Sequence, residues 1–133
     1  ASQARVDALI EREIHRGIPS GRVALAGFSQ GGAIALHTGL RQPQRLAGVM
    51  ALSCYLPLAD KLPSEASHAN RQTPIFMAHG SADPVVTFAR ARESRDTLRA
   101  LGYSLDWHEY AMPHAVCAQE VADIAQWLRG LFA

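Results

Sequence analysis

The chain has 133 residues, 48% of them hydrophobic and 19% charged, an ordinary globular composition of one domain's length. Thirteen basic against twelve acidic residues leave a formal charge of +1, with no block of like charge of the kind that draws nucleic acid or an anionic membrane. No apolar run reaches the roughly 18 residues that would cross a bilayer, the first residues carry no signal-like apolar stretch, and Cys54 and Cys117 make neither a disulfide framework nor a Cys-x-x-Cys pair, so a soluble cytoplasmic protein is expected.

Val6, Leu9, Ile10 and Ile14 recur at helical spacing, and Gly17 followed by Pro19 supplies a stop, so the chain is expected to open with an amphipathic helix. Residues 22–28 form a short, nearly continuous apolar run, as in a strand buried on both faces of a parallel sheet. A helix over residues 33–40 follows, then apolar runs over 46–52 and 73–78 that are short enough to be strands. Between these two runs, residues 57–72 mix Pro, Ser, Asp, Lys, His and Asn without a period and read as an irregular excursion. Residues 87–101 are a charged amphipathic helix stopped by Gly102, with Phe88, Ala91 and Leu98 facing inward. A fourth strand over 103–110 and a helix over 116–131, with Val121, Ile124, Ala125 and Leu128 on one face, complete the chain. Strands alternating with helices predict a mainly parallel sheet flanked by helices, an α/β architecture whose sites form at the carboxyl ends of the strands.

Gly27-Phe28-Ser29-Gln30-Gly31 fits Gly-x-Ser-x-Gly between a predicted strand and a predicted helix, the context in which that motif exposes a nucleophilic serine on a strained turn. The backbone N–H of Gln30 would then face a developing oxyanion at the positive end of the helix. Taken alone, a glycine-flanked serine could instead cap the helix or cradle a phosphate, although neither Gly-x-x-x-x-Gly-Lys nor Gly-x-Gly-x-x-Gly is present.

A serine hydroxyl needs a base to take its proton. Of the six histidines, His15, His37, His68 and His108 fall in predicted helices, the excursion or a strand and suit structural or surface roles. His79, ahead of Gly80, suggests packing. His114 follows the last strand in Ala111-Met112-Pro113-His114, a loop from which an imidazole could reach across the sheet edge. Asp83, in His79-Gly80-Ser81-Ala82-Asp83-Pro84-Val85-Val86, could be a turn or N-cap aspartate, and Asp60 and Asp106 are weaker candidates for the acid. Order decides: Ser29, Asp83 and His114 follow the first, third and fourth strands as nucleophile, acid and base, the chain order of α/β-hydrolases.

With Leu52-Ser53-Cys54-Tyr55-Leu56-Pro57 added to these motifs, the sequence resembles the acyl-protein thioesterase and bacterial carboxylesterase branch of the α/β-hydrolases over essentially its whole length. The resemblance implies hydrolysis of small carboxylic ester or thioester substrates without metal or organic cofactor, and implies that Leu56 and Val86 help line an acyl pocket. Where many relatives have glycine before the histidine, Pro113 stands here and stiffens the loop. Relatives also carry early strands and the loop with the other oxyanion donor ahead of the opening helix. Residues 1–133 are therefore expected to be the C-terminal portion of the fold, a partial domain completed by an N-terminal segment or a second copy. Lacking that donor, worth about 2.7–4 kcal/mol of transition-state stabilisation, it is expected to be feeble alone. Lipase-like or dienelactone-type chemistry on the same elbow, and a non-catalytic half-domain that pairs with a second chain through an open sheet edge, are the alternative readings.

Overall fold

A computed structural model describes residues 2–133. Four strands, β1 (Ala24–Phe28), β2 (Gly48–Leu52), β3 (Ile75–Gly80) and β4 (Leu105–Tyr110), form one sheet in the order β1-β2-β3-β4, with every neighbouring pair parallel. Helices α1 (Ser2–His15), α2 (Gln30–Gly39), α4 (Phe88–Ala100) and α5 (Ala118–Leu131) surround it, and the excursion holds only 3-10 turns and a four-residue helix, α3 (Leu62–Glu65). Among the described residues, no helix is long and apolar enough to cross a membrane.

Strand periodicity divides the core in two. Val49, Ala51, Ile75 and Met77 point to one face, where they pack with Leu36 of α2, with Leu40 just after that helix, and with Leu98 of α4. Met50, Phe76 and Ala78 point to the other, against Ile124, Trp127 and Leu128 of α5. Tyr110 on β4 donates a 2.6 Å hydrogen bond to Asp123 Oδ2 and so ties α5 to the sheet.

The structure corrects the expected burial in three places. The first strand is not covered on both faces: Ala26 and Phe28 are exposed, because β1 is the edge of this sheet and α5 packs over the strands beyond it. In α5, Val121 faces solvent while Glu120, one residue earlier, is fully buried in the first turn, where burial pushes its pKa up. In α1 only Ile10 is fully buried and Leu9 is exposed. This helix leans on α2 and the turn after it through polar pairs, Gln3 to His37 at 2.9 Å and Gln42 to Asp7 at 2.8 Å, and so needs a narrower apolar stripe than one packed on a sheet.

The excursion is pinned by a residue that the sequence pattern does not single out. Asn70, fully buried, donates from Nδ2 to the carbonyls of Gln42 and Gln44 at 2.7 and 2.9 Å. Its Oδ1 accepts from Leu46 N–H at 2.8 Å and from the Thr73 hydroxyl at 2.7 Å. One amide thereby satisfies the segments entering β2 and β3. Asn70→Ala would strand buried donors and acceptors, and urea unfolding should show a loss of about 2–3 kcal/mol; an unchanged midpoint would mean that the staple contributes nothing.

Candidate active site

Parallel register brings the strand tips level, with Phe28, Leu52 and Ala78 aligned in sequence. The ladder then runs on past the strands. Ser29 N–H donates to Leu52 O at 2.8 Å, Ser53 N–H to Ala78 O at 2.9 Å, and Ser81 N–H to Tyr110 O at 2.8 Å. The three predicted loops therefore leave one edge from fixed positions.

The turn at Ser29 has φ 58° and ψ −121°, outside the relaxed basins of an L residue and worth on the order of 1–3 kcal/mol of strain. It is possible because Gly27 has no side chain: a Cβ there would lie 2.2 Å from the carbonyl carbon and oxygen of Gly31. Gln30 is the first residue of α2, so its N–H has no acceptor within the helix and lies at the helix's positive end.

The acid and histidine loops are locked to each other. Ala82 N–H donates to Met112 O at 3.1 Å, and a Cβ on Gly80 would meet the carbonyl oxygens of both Met112 and Pro113 at 2.3 Å. Only glycine lets the 111–114 loop lie this close to the end of β3. Asp83, buried, accepts at Oδ1 from Val85 N–H at 2.8 Å and Val86 N–H at 3.0 Å. Its Oδ2 accepts from His114 Nδ1 at 2.6 Å, while His114 Nε2 lies 3.0 Å from Ser29 Oγ. With Nδ1 protonated to serve the carboxylate, Nε2 is free to accept the serine proton. The Phe28 ring flanks the imidazole, centroid to centroid 4.9 Å.

Burial acts to raise the Asp83 pKa, but the hydrogen bonds from His114, Val86 and Val85 and the charge of His114 outweigh it and hold the carboxyl below its ordinary value of 3.8. The arrangement keeps a carboxylate, an imidazole and a hydroxyl in one hydrogen-bonded line, and that line can carry a proton from Ser29 to His114 and stabilise the cation that results.

The other titratable candidates lie elsewhere. His37 pairs with Gln3 on α1, and His108 stacks on Phe76 beside Asp106 and Asp123; His15, His68 and Asp60 are exposed. Cys54 is buried, its pKa pushed up to about 12 by desolvation, which makes it an inert thiol; Cys117 is half-buried at the N-cap of α5. Leu56 sits in the core with its N–H bonded to Ser94 Oγ at 2.9 Å, and Val86 is buried beside Asp83. A groove of about 350 Å³ opens beside Gln30, between Ile34 of α2 and Tyr55, Pro57 and Leu58. Among the described residues, no group of three or more His, Cys, Asp or Glu side chains is gathered to hold a metal ion. Three features of this edge lie inside the motifs, but residue type there does not signal them: the left-handed Ser53 at φ 53°, the grip of His79 on the acid loop, and the Phe28 ring beside His114.

The sequence profile of the Phospholipase/Carboxylesterase family matches residues 1–131. Acyl-protein thioesterase 1 of Neurospora crassa is 44% identical over 130 residues, 96% of this chain and 53% of its own length. The Yarrowia lipolytica protein of the same name is 38% identical, over 96% of this chain and 57% of its own length. The chain thus spans about half the length of the curated relatives it matches. Among solved structures, Arabidopsis thaliana SOBER1 superposes with a TM-score of 0.94 at 28% identity, covering 98% of this chain and 63% of that one. Zea mays acyl-protein thioesterase 2 gives 0.85 at 27% identity, covering 98% and 63%. The sheet described above is an α/β-hydrolase sheet.

Because Asp83 titrates below 3.8 when folded, its stabilisation is complete above that value and is lost as pH falls through the lower folded value. Urea unfolding of the wild type and of Asp83→Asn should therefore show a gap that narrows as the solution is acidified below about pH 4. A gap that stays constant would mean that the carboxylate is not held by these hydrogen bonds.

Proposed function

This chain belongs to the phospholipase/carboxylesterase family of α/β-hydrolases, and on that premise we propose that it carries the catalytic residues of a serine hydrolase of carboxylic esters, thioesters included. The observation that carries this reading is the line from Ser29 Oγ through His114 to Asp83, 3.0 and 2.6 Å long at its two links. The acyl-protein thioesterases among its relatives support an acyl substrate.

In the reaction, Ser29 Oγ attacks the acyl carbonyl carbon while its proton passes to His114 Nε2. Asp83 holds the imidazole by Nδ1–H and offsets its charge. The carbonyl oxygen becomes an oxyanion facing the Gln30 N–H. His114 returns the proton to the departing alcohol or thiol and the carbon–oxygen or carbon–sulfur bond breaks, leaving an acyl-enzyme on Ser29. Water, deprotonated by His114, then attacks the same carbon; the carbon–Oγ bond breaks as His114 returns that proton to Ser29, and the acid leaves. Side chains and water supply every proton, so the cycle needs neither metal nor organic cofactor.

Leu56 and Val86 are assigned to the apolar surroundings of the acyl group. The remaining oxyanion donor is assigned to a complementing N-terminal segment or a second copy seated along β1, whose Ala26 and Phe28 are exposed. A small ester or thioester in the cytoplasm is the substrate class that this reading implies.

Kinetics on a p-nitrophenyl ester, in the full-length polypeptide that carries these residues, test it. Ser29→Ala should fall to background, and Asp83→Asn should lose about 10⁴-fold in kcat because the tautomer of His114 is no longer fixed. Turnover by Ser29→Ala within about tenfold of wild type would refute the nucleophile and with it the mechanism.

A further inference from the structure

A side chain outside the proposed proton path closes the acid loop. His79 lies within β3, its side chain 1% exposed, and its Nε2 is 2.7 Å from the carbonyl oxygen of Val86. A carbonyl only accepts, so Nε2 carries a proton and donates it. Val86 is the same residue whose N–H holds Asp83 Oδ1 at 3.0 Å, next to the Val85 N–H at 2.8 Å. Its carbonyl is therefore fixed by His79 while its N–H fixes the acid.

The opposite carboxylate oxygen makes the same connection. His79 Nε2 stands 3.4 Å from Asp83 Oδ2, the oxygen that accepts from His114 Nδ1 at 2.6 Å. Two imidazoles thus flank one carboxylate, the first at full hydrogen-bond length and the second at longer range, with its proton aimed mainly at Val86. A role of filling space would be met by an apolar side chain, which avoids the cost of desolvating an imidazole. A buried histidine is favourable here because it makes a hydrogen bond that an apolar group cannot make.

We propose that His79 is a positioning residue, whose hydrogen bond to the Val86 carbonyl sets the 83–86 turn and so aims the Asp83 carboxylate at His114. The proposal rests on the functional reading above. It adds to that reading a determinant that never touches substrate.

The test compares His79→Leu, which fills the space without a donor, with His79→Gln, whose amide N–H has a similar reach, in the full-length polypeptide. Two readouts are taken: kcat and KM on a p-nitrophenyl ester, and the downfield proton resonance of His114 Nδ1–H, which needs no turnover. His79→Leu should lower kcat about 10- to 100-fold, the usual effect of losing a supporting hydrogen bond, with KM little changed and the resonance broadened or moved upfield. His79→Gln should restore most of both. Wild-type kcat and resonance in a folded His79→Leu protein would overturn the proposal, and so would equal losses in the two variants. If His79→Leu does not fold, His79→Gln decides: kcat and resonance near wild type support the hydrogen bond, and loss of both refutes it. Should Ser29→Ala keep its turnover, the hydrolase reading fails, while the resonance still reports whether His79 orients Asp83.

Discussion

The hydrogen bond between His114 Nδ1 and Asp83 Oδ2 is the contact on which the rest of this edge depends. It joins residues from two loops, selects one imidazole tautomer, and leaves Nε2 with a lone pair directed at Ser29 Oγ. A carboxylate buried this deeply is costly unless its lone pairs are occupied. The backbone of Val85 and Val86 occupies one oxygen and His114 the other. The acid is thus kept charged by the same bonds that aim it.

Those bonds hold because the sheet delivers their partners from fixed positions. Parallel pairing levels the strand tips, and the backbone ladder continues through Ser29, Ser53 and Ser81 into the loops. Gly80 then lets the 111–114 loop lie directly on the end of β3, and Gly27 lets α2 begin hard against β1. The strain at Ser29 is sustained by this packing: helix α2, seated on β1 and β2, cannot relax without carrying core residues such as Leu36 out of contact. Stability in the sheet is in this sense a condition of geometry at its edge.

Much of this was legible in the residues. Short apolar runs alternating with amphipathic stretches predicted the parallel sheet, and the order of Ser29, Asp83 and His114 after the first, third and fourth strands suggested that they gather; in the structure His114 lies 3.0 Å from Ser29 and 2.6 Å from Asp83. Local motifs are readable because a strained elbow demands glycines and an acid loop demands a turn. The unreadable parts depend on partners remote in sequence. Asn70 sits in a polar stretch whose composition suggests only a loop, yet it binds segments more than twenty residues away. His79 reads as packing, because the carbonyl it grips carries no side-chain signature. Periodicity also overstates burial at Val121 and Leu9, since an amphipathic pattern does not say how far the opposing surface extends.

The most direct measurement is to map the site of covalent modification by a fluorophosphonate, using tandem mass spectrometry of the full-length polypeptide. The account predicts a single adduct on the Ser29 hydroxyl. An adduct on another residue, or none on a folded protein, would contradict it.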